Sequence, residues 1–412
     1  MKKQFEEWIS LNRNRILNEF LSFLKINTVT PNESDAFNFV EKYLDGIGFI
    51  AEKNFVPADL KEHKMFTNTK ESCINPDCFN IKARSKRKVE NPRKKVIFNI
   101  HVDVVPGSCD FKEAFDPVIR DGNVFGRGAC DTKNNLIMLC EAIRFLNENN
   151  IEIQKDIEMD LVIEEEVSGN GTLSAILNGV DADLVIVMEP TNLLIYRGHR
   201  GCVTATIDVK GKSVHMGSND TGISAIECAY HIINRLKEFE AFLLDEAKKD
   251  KDFSVWEKPL QINIGRIKGG EWPGTVAERC RITCNIGFLP NYTLETIKNS
   301  ISDICKDTGD KWTNNNVQVT FDGLKNSAYI IDEKDINITE FLKIINKYGM
   351  EQRNSYGWRV SCDAHLYSKL AKVPTLIFGS GNLADAHSAH EKIAISELEL
   401  GILMLAEYLA KQ

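Results

Sequence analysis

The sequence predicts an α/β protein with a mostly parallel sheet, into which an α+β unit of ferredoxin-like order is inserted. Three observations carry that expectation. Apolar, β-branched runs at 96–105, 157–163, 183–188 and 373–378 alternate with helical patterns, as parallel strands joined by crossover helices do. Polar and glycine residues collect just after each run, where open α/β sheets place their sites. Between about residues 198 and 321 the order becomes β-α-β-β-α-β, and the run at 373–378 then completes the earlier sheet. The expected division is therefore 1–197 with 322–412 as one domain and 198–321 as an inserted second.

Composition narrows the function. At 412 residues, 43% hydrophobic and 27% charged, the chain is long enough for two cores. A net charge of −8 and the lack of aromatics interleaved with bases argue against a nucleic-acid partner. The one basic cluster, 84–95, contains Glu90 and Pro92 and reads as a solvated hairpin turn. The N-terminus enters a charged helical pattern with no apolar leader, and no run approaches a membrane span. Eleven cysteines without paired zinc-ribbon spacing fit reduced thiols and a cytoplasmic location; Cys73 with Cys78, and Cys280 with Cys284, each lack a second pair.

Two amphipathic helices open the chain, one carrying Phe5, Trp8, Ile16 and Leu17, the other at 36–44 after Thr30-Pro31-Asn32. A strand from Phe49, a polar insertion at 59–78 and a strand at 79–83 lead to the run that ends in His101-Val102-Asp103. Residues i and i+2 of a strand share a face, so Asp103 is expected to accept the ring N–H of His101 and free the other nitrogen for a metal. Gly126-Arg127-Gly128-Ala129-Cys130-Asp131 then turns into a helix with Leu136, Leu139, Cys140 and Ile143 on its apolar side, which leaves Asp131 as either a cap or a ligand. The run at 157–163 ends in Glu164-Glu165-Glu166-Val167-Ser168-Gly169, three carboxylates turned sharply by glycine instead of spread along an exposed helix. The last two runs end in Glu189-Pro190-Thr191 and in Gly379-Ser380-Gly381, the latter followed by Ala386-His387-Ser388-Ala389-His390-Glu391. Within the insertion, strands are expected at 201–210, 260–267, 278–289 and 317–321, with helices at 223–244 and 293–305. A helix at 396–411 closes the chain.

One sheet edge thus collects His101, Asp131, Glu165, Glu166, Glu189 and His387, with Asp103 behind His101. Two imidazoles with several carboxylates and no thiolate suit zinc, and also cobalt or manganese. Two histidines are few for one mononuclear site; they suit two metals bridged by a carboxylate, each with one terminal histidine and an open position for water.

In these residues, taken in order, the chain resembles the metal-dependent amidohydrolases of metallopeptidase family 20. These include acetylornithine deacetylase, succinyl-diaminopimelate desuccinylase, aminoacylase and glutamate carboxypeptidase. The motifs are His101-Val-Asp103-Val-Val-Pro-Gly107, Gly126-Arg-Gly-Ala-Cys-Asp131-Thr-Lys133, Glu164-Glu-Glu-Val-Ser-Gly-Asn-Gly171, Glu189-Pro-Thr191, Val214-His215-Met-Gly217 and Gly379-Ser-Gly381 with Ala386-His387, spanning almost the whole chain. The resemblance implies a zinc-peptidase-like catalytic domain, an inserted dimerisation (lid) domain and two Zn2+ per chain, with Co2+ or Mn2+ as substitutes. It implies that His101 and Glu189 hold one metal, that Glu166 and His387 hold the other, and that Asp131 bridges them. Glu165 would be the general base acting on the shared water, and Asp103 would orient His101. The acidic pair is Glu165-Glu166, aligned on Val167-Ser168-Gly169, with Glu164 the extra residue. His390 falls to the surface or to the surroundings of the ligands. His215 is expected to reach across a homodimer to the oxyanion in the neighbouring subunit.

The resemblance breaks at substrate recognition. Many members carry an Arg in an Asn-x-Arg segment of the inserted domain that binds a substrate carboxylate; here Cys284-Asn285-Ile286-Gly287 puts Gly287 there. Arg197, Arg200, Arg359 or His365 could substitute, with Arg200, His365 and Gly381 the residues taken as substrate-binding. Glu189-Pro190-Thr191 and Gly270-Glu271-Trp272-Pro273 look most like the acetylornithine-deacetylase branch, including its relatives that deformylate an aminopyrimidine. The expected reaction is removal of an acetyl, formyl or similar N-acyl group from a small amine or amino acid. A dipeptidase or carboxypeptidase activity is second, and a non-catalytic metal-binding oligomer is the alternative of another class.

Overall fold

The computed structural model describes residues 1–410 except 88, 90, 91, 351 and 353. Three residues of the basic turn at 84–95, and Lys411 of the expected closing helix, therefore lie outside the described residues. In chain order the first half comprises α1 (Lys2–Leu24), α2 (Phe37–Asp45), β1 (Phe49–Phe55), β2 (Phe79–Ser85), β3 (Lys94–His101), β4 (Val118–Arg120), β5 (Asn123–Phe125), α3 (Lys133–Glu148), β6 (Lys155–Val162), α4 (Asn170–Leu177), β7 (Leu184–Val187) and β8 (Tyr196–His199). There follow β9 (Gly201–Lys210), α5 (Ala225–Ala247), β10 (Ile262–Gly269), β11 (Arg279–Phe288), α6 (Leu294–Cys305), α7 (Lys311–Asn315), β12 (Val317–Thr320), β13 (Lys325–Asn326), β14 (Tyr329–Ile330), α8 (Ile336–Lys347), β15 (Tyr356–Trp358), α9 (Ala364–Leu366), β16 (Thr375–Ile377), β17 (Lys392–Ala394) and α10 (Ile395–Leu409).

Nine strands form the main sheet, in the order β1-β2-β6-β3-β7-β16-β8-β14 with β15 also on β8. Its four central strands, β6, β3, β7 and β16, are mutually parallel and are the four apolar runs of the sequence. They are nearly solid hydrophobic because both faces are covered, as for β7, all of whose residues are buried. Helices α1, α3 and α10 pack together on the sheet, and α3 turns Leu136, Leu139, Cys140 and Ile143 into that core. All four carboxyl ends point to one edge.

The second sheet is antiparallel in the order β10-β11-β9-β12, with β13 also on β9. This is the ferredoxin-like arrangement expected from the order of elements, and α5 and α6 close over it. It has its own core of Val203, Ala205, Ile207, Ile282, Cys284 and Ile286 with Ala229, Ile232 and Leu236. The sheet runs a little further than expected, since Lys325 and Asn326 still pair with Val203 and Cys202. No helix among the described residues is long and apolar enough to cross a membrane.

Candidate active site

Parallel pairing of β3 with β6 and β7 delivers His101, the glutamate turn and Glu189 to the same edge. There the Asp131 carboxylate stands between two imidazoles. Its Oδ1 lies 3.0 Å from His101 Nε2 and its Oδ2 3.3 Å from His387 Nε2. Glu166 Oε1 meets the same His387 nitrogen at 2.9 Å. One ligand atom each from His101, Asp131 and Glu166 falls within 4.8 Å of the others, the cluster among the described residues that could hold a metal ion. Glu189 is 5% exposed and its Oε1 has no partner. Two imidazoles, several carboxylates and one orphaned buried oxygen are a donor set that fits divalent cations.

Asp131 does not cap the helix that follows. Helix α3 starts at Lys133 with Thr132 at the cap position, and the Asp131 carboxylate turns to the histidines instead. Hydrogen bonds from both imidazoles hold its pKa well below the usual carboxylate range, against the effect of burial. The reciprocal effect, bonding to Asp131 and Glu166, pushes His387 up to about 10. Burial, with the charges of Glu189 and Asp363 adding to it, raises Glu165 well above its ordinary value. Burial raises Glu189 likewise, reinforced by Asp131.

Asp103 corrects one expectation. His101 Nδ1 lies 3.0 Å from the backbone carbonyl of Asp103, while the nearer carboxylate oxygen is 3.7 Å away. The carboxylate serves the glutamate turn instead, accepting the Glu165 N–H at 3.1 Å and the Glu166 N–H at 2.9 Å. Asp103 thus orients His101 through its peptide group and the two glutamates through its side chain. Burial lifts its pKa to about 8.

Glu391, quoted in a motif but given no role from sequence, organises the other loop. It is fully buried; one oxygen accepts the backbone N–H groups of Gly128, Cys130 and Asp131, each at 3.0 Å, and the other is ion-paired with Arg127. Asp363 was also passed over. It is 2% exposed, its Oδ2 has no partner, and its charge acts on both Glu165 and Glu189. Its Oδ1 would stand 2.5 Å from a Cβ on Gly169, a residue with φ of +71°, so the turn requires glycine there. Only the Glu-Val-Ser-Gly spacing for Gly169 and the Ser-Cys-Asp-Ala-His context for Asp363 could have marked them.

The remaining candidates lie outside the cluster. His215 is exposed in a turn after β9, in an isolated backbone bridge with Thr275, and its Nδ1 accepts the Gly217 N–H at 3.1 Å. His365 is buried with its ring 6.0 Å from that of His199. Gly381 donates its N–H to Glu397 at 2.7 Å. His390 is exposed, and Arg197 is ion-paired with Asp252. Arg200 is 7% exposed, and its guanidinium donates to the carbonyls of Arg359 at 2.6 Å and Gly201 at 3.0 Å, with no ion pair to a carboxylate among the described residues. Its Nη1 lies 3.2 Å from where a Cβ on Gly287 would stand. The site of the missing arginine is thus bordered by another arginine, from the neighbouring strand end.

Known proteins place this arrangement. The family model for peptidase family M20/M25/M40 matches residues 97–411. An N-formyl-4-amino-5-aminomethyl-2-methylpyrimidine deformylase of Halalkalibacterium halodurans is 29% identical over 353 residues, covering 79% of this chain and 81% of that protein. An acetylornithine deacetylase of Aliivibrio salmonicida is 27% identical over 315 residues, covering 76% of this chain and 79% of its own length. Among solved structures, a tripeptidase from Staphylococcus aureus superimposes with a TM-score of 0.75 at 19% identity, over 97% of this chain and 98% of the other. Since the matched stretch contains every residue gathered at the four strand ends, the chain belongs to peptidase family M20/M25/M40 and is a metal-dependent hydrolase of amide bonds.

Proposed function

We propose that this chain removes a formyl, acetyl or similar acyl group from the nitrogen of a small amine, with two divalent cations, zinc in the first instance, held by His101, Asp131, Glu166, Glu189 and His387. The observation that carries the reading is Asp131 itself, a carboxylate with one imidazole on each oxygen. His101 with Glu189, and His387 with Glu166, then serve as the two terminal pairs. When bound, such a pair of cations supplies Lewis-acid polarisation of an amide carbonyl and lowers the pKa of water.

The residues of this chain do the rest. Glu165 takes the proton of the attacking water on its carboxylate and returns it to the nitrogen of the leaving amine. Asp103 fixes the backbone from which Glu165 projects. Arg200, a buried guanidinium without an acidic partner among the described residues, offers a recognition point for a polar or anionic group of the substrate beside Gly287. The deformylase and deacetylase relatives support an N-acyl substrate over a peptide, and the absence of a side chain at 287 supports a substrate that need not carry an α-carboxylate.

We further propose that residues 198–321 act as an inserted lid through which a homodimer forms, with His215 completing the partner's site. Next to His215 the side chains of Met216 and Trp272 are 61% and 71% exposed, apolar surface that a second subunit would cover. The decisive experiment is a substrate panel with zinc or cobalt added, spanning N-formyl and N-acetyl amines, a formylated aminopyrimidine, N-acetylornithine, dipeptides and tripeptides. Turnover of the N-acyl amines above the peptides is expected, and cleavage confined to peptides would replace this reading with the peptidase one. In the same assay Glu165→Gln should keep its metals and lose activity by about 10²–10⁴-fold.

A further inference from the structure

Among the described residues no side chain donates a hydrogen bond to the Glu165 carboxylate, so its direction is set by the backbone that carries it. That backbone is held from several sides. Glu165 and Glu166 give their N–H groups to Asp103, and the Glu164 carbonyl accepts the N–H groups of Ser168 at 3.0 Å and Gly169 at 2.7 Å. Glu164 itself is 2% exposed and sits at φ of +56°, a left-handed conformation that a non-glycine residue keeps only where its surroundings impose it.

The surroundings are mostly one segment. Glu164 Oε1 accepts the Cys73 N–H at 2.7 Å, and Oε2 accepts the hydroxyls of Ser72 and Ser168, each at 2.7 Å. Further along the same turn, Asn170 exchanges two bonds with the backbone of Thr67, at 3.0 and 2.8 Å. Lys325 donates to the Phe66 carbonyl at 3.3 Å. Residues 66–73, part of the polar insertion between β1 and β2, are thus seated along the whole glutamate turn.

We propose that Glu164 is a positioning residue for the general base, and that the 59–78 insertion is the buttress that supplies its donors. The inference rests on Glu165 being that base. Removing the Glu164 carboxylate frees the turn from residues 72 and 73, lets the left-handed backbone relax, and swings Glu165 away from the attacking water. Glutamine at 164 keeps an acceptor for the Cys73 N–H and an amide donor for the two serine hydroxyls, so it should hold the turn.

Glu164→Ala, Glu164→Gln and Ser72→Ala are compared as metal-loaded enzymes for kcat, KM and metal content, on the formylated aminopyrimidine or, if the panel favours peptides, on a tripeptide. Glu164→Ala should lower kcat about 10²-fold, the cost of a small misplacement of a catalytic group, with KM and metal content unchanged. Glu164→Gln should return kcat to within about tenfold of the parent, and Ser72→Ala, losing one hydrogen bond at a half-buried position, should lower it about three- to tenfold. Parent-like kcat in Glu164→Ala, or metal lost in step with activity, overturns the proposal; if that variant does not fold, parent-like kcat in Ser72→Ala does so. Glu165→Gln run alongside separates the two readings. Near-full activity there removes the base assignment itself, whereas an inactive Glu165→Gln beside a fully active Glu164→Ala removes only the buttress.

Discussion

Two buried histidines outside the cluster contribute to the acid sensitivity of the fold. His199 and His365 meet edge to face, and each keeps one ring nitrogen without a partner. Burial pushes His199 down to about 4 and His365 well below its ordinary value. Both are therefore neutral in the folded protein, while the unfolded chain takes up two protons as pH falls through about 6.5. The unfolded state then binds more protons, so these residues withdraw stability as pH drops from about 6.5 toward 4, with a slope of at most about 2.7 kcal/mol per pH unit. Urea unfolding of the metal-free protein between pH 7 and 4.5 checks this. His365→Asn should lower the slope by at most about 1.4 kcal/mol per pH unit, and an unchanged slope would refute the assignment. At this scale the sequence spoke of residue types and not of directions. His101, Asp131, Glu166 and His387 stood out because imidazoles and carboxylates followed apolar runs, and the structure brings them together. The division of labour within Asp103 was not legible, because a strand's i, i+2 rule places two side chains on one face but does not say whether peptide or carboxylate is closer.

Loops are built here by carboxylates that gather peptide N–H groups. Glu391 does so for 128–131 and Asp103 for 165–166. The glutamate loop follows β6, whose end it turns, and the Asp131 loop leads from β5 into α3. Glu391→Ala should cost about 3–5 kcal/mol, the usual penalty for breaking a buried pair, because Arg127 is left charged in the interior and three donors lose their acceptor. Denaturant unfolding measures it, and a loss below about 1 kcal/mol would show that water replaces the carboxylate. Most large elements were legible from periodicity: α1, α2, α3, the four central strands and the main elements of the second sheet fall within a few residues of expectation, whereas the twelve-residue α8 was not expected. The short ones were not. β8, β14 and β15 have two to four residues, too few for a period to show, yet they extend the main sheet beyond β16. The same holds for the small sheet β17-β5-β4.

For the whole molecule the two sheets pose a question of assembly. If His215 serves the partner's site, two inactive variants should rescue each other. A refolded equal mixture of Glu165→Gln and His215→Ala chains forms mixed dimers in which one site has both residues intact. About a quarter of the parent activity should return if pairing is random, and none if each subunit works alone. The change from parallel to antiparallel order near residue 200 was readable because the two kinds of sheet demand different connections. The exposure of Met216 and Trp272 was not, since in the sequence they look like any apolar residues.

The bonds from Glu391 back to the Asp131 loop span 260 residues or more, and His387 lies 221 residues beyond Glu166. During synthesis, therefore, the strands that carry His101 and the glutamates emerge long before the residues that shape and complete their centre. A nascent chain can fold much of its sheet and still hold no finished site.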